Sequence, residues 1–153
     1  MHEPRPVRLG RAAHVNALLL ANRNTDAVDA ICTEHGLTHA QYVALWTLCL
    51  SDGAGVGLPV GAVADGLLNR ASDTTRLIDR LERAGLAERL PNPDDRRSVL
   101  VRATAMGRRV FAEVTPQLQD LHRRQWASLS PAELEQLNDL LAKALWGAAE
   151  GGR

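Results

Sequence analysis

The chain has 153 residues, 45% of them hydrophobic and 24% charged, the make-up of a soluble globular protein long enough to bury one real core. Formal net charge is zero, the two cysteines make neither a disulfide framework nor a zinc spacing, and no apolar run approaches the roughly 18 residues needed to cross a bilayer. Residues 1–6 lack the apolar centre of a secretory signal, so the expected address is the cytoplasm.

Residues 1–8 read as a mobile arm. From about Gly10 to His35 a helical pattern runs through Ala13, Ala17, Leu20, Val28 and Ile31, and Gly36 stops it. Thr38 and Gln41 have the spacing of a capping box, a hydroxyl at the N-cap and an amide three residues on. The helix that follows, to about Leu50, is strongly apolar and is expected to cross the middle of the domain. Along it Tyr42, Trp46 and Cys49 recur at four- and three-residue spacing. From its residues alone, that stripe reads as core. Val56, Gly57 and Leu58 offer a short strand, and Pro59 suits the first turn of a helix over 60–67.

Residues 69–84 carry their own start and stop signals. Asn69 can cap the N-terminus, and Gly85 lies just past the last periodic residue. Leu77, Ile78, Leu81 and Ala84 form the expected buried stripe. Ser72, Thr75, Arg76, Asp79 and Arg83 occupy the remaining faces. A helix showing Ser, Thr and Arg at its front offers the hydroxyls and guanidinium forks that reach base edges and phosphates in a major groove. Residues 86–90 then read as a strand, 91–95 as a turn rich in Pro, Asn and Asp, and 96–102 as the return strand. A two-stranded ribbon with arginines at its tip can lie along phosphate or enter a narrow minor groove. Asp94 stands two residues before Arg96 and could orient its guanidinium.

Thr104 caps a long helix to about Ser128, with Pro116 inside it and Val110, Val114, Leu118, Leu121 and Gln125 at near-heptad spacing. Ser130, Pro131 and Glu133 open the last helix with a second capping box. Its apolar positions are Leu134, Leu137, Leu141, Ala144, Leu145 and Ala148. The winged unit has no need of the terminal helices, and a helix apolar over a wide arc must bury that arc somewhere. A second copy is the expected cover.

The neutral net charge hides an asymmetry. Between residues 69 and 109 ten arginines stand against six acids, a surplus of four positive charges, while the segments before and after are each two charges negative. Positive charge is therefore gathered where phosphate attraction would need it. Of the 18 basic residues 17 are arginine, so the choice of Arg over Lys at any one position carries little meaning.

The residues 76–86, then Asp94-Asp95-Arg96-Arg97 with the strand after it, then Thr104-x-x-Gly107, resemble the MarR (multiple-antibiotic-resistance regulator) family. The likeness extends in length and helix order over nearly the whole chain. Asp73, Thr74 and Ala103 depart from the residues usual there. The resemblance implies a mainly α fold with a small β-wing (α+β): one compact chain with an arm at 1–8, a winged helix-turn-helix at 37–104, and dimerisation helices at 9–36 and 105–150. It implies a homodimeric, sequence-specific regulator of transcription, a repressor relieved by a small aromatic effector, acting on a pseudo-palindromic site in double-stranded DNA. The expected DNA-contacting residues are Arg70, Ser72, Thr74, Thr75, Arg76, Asp94, Arg96, Arg97 and Ser98, and the expected effector face is Tyr42, Trp46 and Cys49.

Two other readings stand beside this one. Cys32 and Cys49 would make a redox-responsive regulator if a neighbour lowered a thiol pKa. A winged-helix protein-interaction module without DNA binding would fit the zero net charge. His14, His35, His39 and His122 show no convincing i, i+4 partner of the kind metals use, and no cofactor or membrane association is expected. With no nucleophile–base pair or phosphate loop in the pattern, an enzyme is not the expected reading.

Overall fold

The computed structural model describes residues 4–51, 55–67, 74–95 and 97–147. The described chain is mainly helical: α1 (Arg5–Glu34), α2 (His39–Ser51), β1 (Leu58–Pro59), α3 (Val60–Asp65), α4 (Thr74–Arg83), β2 (Ala87–Pro91), β3 (Val99–Ala103), α5 (Ala105–Gln125) and α6 (Pro131–Trp146). The three strands form one antiparallel sheet in the order β1-β3-β2. Leu58 stands opposite Val101, Glu88 opposite Arg102 and Leu90 opposite Leu100. Helix, helix, helix and then a hairpin edged by a short third strand is a winged helix-turn-helix with further helices at both ends.

Local chemistry explains most boundaries. Gly36 (φ +71°) ends α1: its N–H bonds the Thr33 carbonyl at 2.9 Å, and the Leu37 N–H bonds that of Cys32 at 2.9 Å. Gly85 (φ +70°) ends α4 in the same way, its N–H on Glu82 O and the Leu86 N–H on Leu81 O, both at 2.8 Å. Both are left-handed helix stops in which glycine avoids a Cβ clash, and both are followed by a buried leucine. The Thr38–Gln41 capping box is reciprocal. Gln41 Oε1 accepts from the Thr38 N–H at 2.8 Å, and Thr38 Oγ1 accepts from the Gln41 N–H at 3.2 Å. A second box joins Ser130 and Glu133 at the head of α6. The bonds it receives from Ser130 hold the exposed Glu133 carboxyl below its usual range.

The structure differs from the sequence reading in three places. Helix α1 begins at Arg5, so residues 5–8 are helical rather than an arm; Pro4 at the N-cap and Pro6 in the first turn suit a helix start. Pro59 ends β1 and caps α3 instead of sitting inside it, its φ of −57° serving strand edge and cap alike. Ala84 is exposed, because the chain has left the helix by that residue. The chain divides into two compact units, residues 1–118 and 119–153. Helix α6 has no fully buried residue; Leu134 and Leu137 are half-buried, while Leu140, Leu141, Leu145 and Trp146 are exposed.

The core lies in the first unit. Leu45 and Leu48 of α2, Val63 of α3, Ile78 and Leu81 of α4, Val101 of β3 and Val114 of α5 are fully buried. Each element of the winged unit except β1 and β2 thus contributes a fully buried side chain to one cluster, which fixes α4 against the sheet. Among the described residues no helix is long and apolar enough to cross a membrane.

Thr104 and Gly107 close the unit. The Thr104 N–H bonds Leu86 O at 3.1 Å; its hydroxyl donates to Gly85 O at 2.6 Å and accepts from the Gly107 N–H at 3.0 Å. The Leu86 carbonyl lies so close to Gly107 that a Cβ there would collide with it. By contrast nothing lies within 4 Å of a Cβ built on Gly61 of α3. Gly107→Ala is therefore expected to cost about 3 kcal/mol, since backbone cannot yield as a side chain does. Gly61→Ala should gain up to about 1 kcal/mol from helix propensity. Urea unfolding of the two variants at equal protein concentration checks the pair, and equal midpoints would contradict the packing described.

Candidate nucleic-acid interface

Helix α4 divides its faces sharply. Leu77, Ile78 and Leu81 are buried, while Thr75, Arg76, Arg80 and Arg83 are exposed and Thr74 is half-buried. The exposed hydroxyl of Thr75 and guanidinium of Arg76 stand in the first described turn, the end a reading helix offers to bases. Further along, Arg80 Nε donates to the Arg76 carbonyl at 3.4 Å and Arg83 Nε to that of Asp79 at 3.2 Å. Arg70 and Ser72 lie outside the described residues, as do Asn69 and Asp73.

The wing hairpin has an ordered tip. Asn92 Oδ1 accepts from the Asp94 N–H at 3.0 Å and Asp95 Oδ1 from the Arg97 N–H at 2.9 Å, two side-chain-closed turns in succession. Asn92 Nδ2 donates to Ser98 Oγ at 2.7 Å, and Ser98 Oγ donates to Asp95 O at 3.2 Å. Ser98, expected at the DNA interface, uses its hydroxyl to help hold the tip. Arg97 and Asp94 are exposed. Arg96, and with it the expected Asp94–Arg96 pair, lies outside the described residues. The acid that visibly orders the tip is Asp95. The spacing of Asn92 to Asp94 and of Asp95 to Arg97 carried that signal, since Asn and Asp bond backbone N–H groups two residues on.

Two arginines at the wing root are engaged inside the protein. Arg89 of β2 donates through Nη2 to Asp79 Oδ1 at 2.6 Å and through Nη1 to Glu82, while its backbone N–H bonds Glu82 Oε1 at 3.1 Å. The bond from Asp79 raises the Arg89 guanidinium above its ordinary range, so it stays charged at any working pH. Arg102 of β3 donates through Nε to Glu88 Oε1 at 2.7 Å, from the directly opposed position on β2, and reaches Gly55 O at 3.4 Å. Three of the acids that dilute the positive surplus of this region are thus held by two arginines at the root. Arg97 lies at the tip beyond them.

The expected effector face splits. Tyr42 is buried, its ring stacked on Phe111 of α5 with centroids 5.9 Å apart and its hydroxyl 3.2 Å from Thr115 Oγ1. It joins α2 to α5 as a core residue, and burial raises its pKa. Trp46 is 47% exposed, and Cys49 is half-buried. Cys32 is wholly buried, and its thiol is pushed up to about 11, by burial first and then by the charge of Asp29. A thiol so shifted is almost entirely protonated at neutral pH, the opposite of a sensor cysteine. Alkylation of the folded protein at pH 8 should therefore modify Cys49 and leave Cys32 unlabelled until denaturant is added. Peptide mapping that found both labelled at one rate would contradict this burial. Among the described residues no three His, Cys, Asp or Glu side chains gather as metal ligands.

Comparison with known proteins sets this geometry in context. Residues 35–98, which contain α2, the helix-turn-helix and most of the wing, match the model of the MarR family. The transcriptional repressor MprA of Escherichia coli K12 is 27% identical over 132 residues, covering 86% of this chain and 71% of MprA. An uncharacterised HTH-type transcriptional regulator of Bacillus subtilis, YsmB, is 30% identical over 105 residues, 68% of each chain. Among solved structures, a mutant MarR of Escherichia coli complexed with operator DNA superposes with a TM-score of 0.75 at 28% identity, covering 91% of this chain and 94% of that one.

Proposed function

The chain belongs to the MarR family of winged-helix regulators, and from that membership we propose that it is a homodimeric, sequence-specific DNA-binding repressor of transcription, working in the cytoplasm. The observation that carries the proposal is that α4 exposes Thr75 and Arg76 while the adjoining wing exposes Arg97 at an ordered tip. Phosphate contacts from the tip would supply affinity, and α4 would supply base readout. The operator-bound MarR and the repressor MprA support the target and the sign of regulation.

The dimer is supported by apolar surface that a lone chain leaves wet. Val7, Val15, Leu18 and Leu19 of α1 are each about half exposed or more, and Leu140, Leu145 and Trp146 of α6 are more than half exposed. Surfaces of that kind on a soluble protein mark interaction sites. We assign α1, α5 and α6 to dimerisation and residues 37–104 to DNA binding. A two-fold axis would set the two reading helices about 34–36 Å apart, one turn of DNA, and so require a partly palindromic site.

A small aromatic effector is the proposed input, taken at the exposed indole of Trp46 beside Cys49. Such a ligand would have to bind one arrangement of the dimer better than another, and a coupling of about 1–3 kcal/mol would change DNA affinity roughly 5- to 150-fold. Simple aromatic acids that release DNA from the native protein are expected to lose that effect in Trp46→Ala. A full effect in that variant would remove Trp46 from the site.

The DNA reading is tested by fluorescence anisotropy across about 50–200 mM salt on a protein shown by sedimentation to be dimeric. Arg97→Ala should weaken binding to every duplex and lower the salt slope by about one for each phosphate no longer neutralised. Arg76→Ala or Thr75→Ala should also alter the sequences selected from a random pool, with discrimination at the recognised base falling by about 1–3 kcal/mol. A native protein that is monomeric, or that shows no salt-dependent affinity for duplex DNA, would overturn the proposal.

A further inference from the structure

Between the last turns of α4 and the first strand of the wing, one guanidinium makes three connections. Asp79 and Glu82 stand three residues apart on α4 and both accept from Arg89 of β2. Glu82 accepts a second time, from the Arg89 backbone N–H at 3.1 Å, so side chain and main chain of the same strand residue are held by the same helix residue. The group is partly shielded, with side-chain exposures of 28% for Arg89, 41% for Asp79 and 32% for Glu82. The segment it spans is short: Ala84, Gly85 and Leu86 are all that separate α4 from β2. The bonds at Gly85 and Thr104 hold the turn itself, and Arg89 adds a connection beyond it, between the body of the helix and the strand.

We propose that Arg89 is a positioning residue for DNA binding, acting through Asp79 and Glu82 to set the angle between the reading helix and the wing, and not itself a phosphate contact. The inference rests on the DNA-binding reading above. Its chemical basis is the direction of the fork. Both terminal nitrogens bond carboxylates of the protein, and the cluster of one cation and two anions is net negative, which repels a phosphate. A ribbon held at one angle lets the exposed residues of α4 and the wing tip meet one duplex without first having to be ordered, the general advantage of preorganisation.

The two roles for Arg89 predict opposite results. For a positioning residue, Arg89→Met and Asp79→Asn should each weaken duplex binding roughly 3- to 30-fold, and the double variant should be no worse than the weaker single, because the three groups act as one unit. The slope of log affinity against log salt should stay at the native value in all three. Arg89→Lys, which keeps the charge but loses the fork, should restore only part of the loss. For a phosphate contact, Arg89→Met would lower the slope by about one, and Asp79→Asn would tighten binding by releasing the guanidinium. Either of those results overturns the proposal, as does native affinity in Arg89→Met. Should Arg89→Met fail to fold by circular dichroism, Asp79→Asn and Arg89→Lys carry the same test.

A readout without DNA separates this inference from the function it rests on. Amide hydrogen exchange in β2 should quicken in Arg89→Met and Asp79→Asn, while exchange in the α2 core stays native. Unchanged exchange in β2 would remove the brace even if DNA binding held. Absent duplex affinity in the native protein, with the exchange effect present, would instead remove the function and leave the brace standing.

Discussion

The close approach of the Leu86 carbonyl to Gly107, secured by Thr104, is the constraint on which the winged unit depends. At that point the end of the reading helix, the root of the wing and the start of α5 come within hydrogen-bond reach of one side chain. The Thr104 hydroxyl satisfies a carbonyl left over at the end of α4 and an N–H left over at the start of α5. A β-carbon at position 107 would push the two apart. The Thr-x-x-Gly pattern is thus a packing requirement: it holds α4, the wing and α5 in register.

Electrostatics in this unit work at two distances. Near the wing root, Arg89 and Arg102 neutralise acids on α4 and β2 and act as cross-links. At the first turn of α4 and at the tip, Arg76 and Arg97 are exposed. The surplus of arginine over acid between residues 69 and 109 therefore does not translate evenly into positive surface. The acids nearest the hinge face arginines that brace the structure. A whole-chain charge of zero is compatible with a phosphate-seeking face because the compensating acids of the remaining segments lie elsewhere in the sequence.

Helices α1 and α6 present the complementary problem. Both are long and apolar along one side, yet among their residues only Val28 and Cys32 of α1 are fully buried. Their stability as helices must come largely from burying that side, since propensity alone leaves an isolated helix marginal. The incompleteness of the single chain is thus itself an argument for the assembly proposed.

Features governed by neighbours in sequence were legible before any coordinates. Gly36 and Gly85 as stops, the boxes at Thr38 and Ser130, the strands of the wing and the buried stripe of α4 all follow from spacing and local hydrogen bonding, which act over three to five residues. What the sequence left open depended on distant partners. Tyr42 could have been core or pocket until Phe111 and Thr115, about seventy residues on, were seen to hold it. Nothing local shows that the fork of Arg89 meets Asp79 and Glu82, or that the hydroxyl of Ser98 sits between Asn92 and Asp95. A side chain's type states which bonds it can make, and those short-range rules set the helix stops, the caps and the wing hairpin, while the family resemblance carried the winged-helix fold as a whole. Only the tertiary structure decides which partner arrives, because that choice is made by groups brought together across the fold.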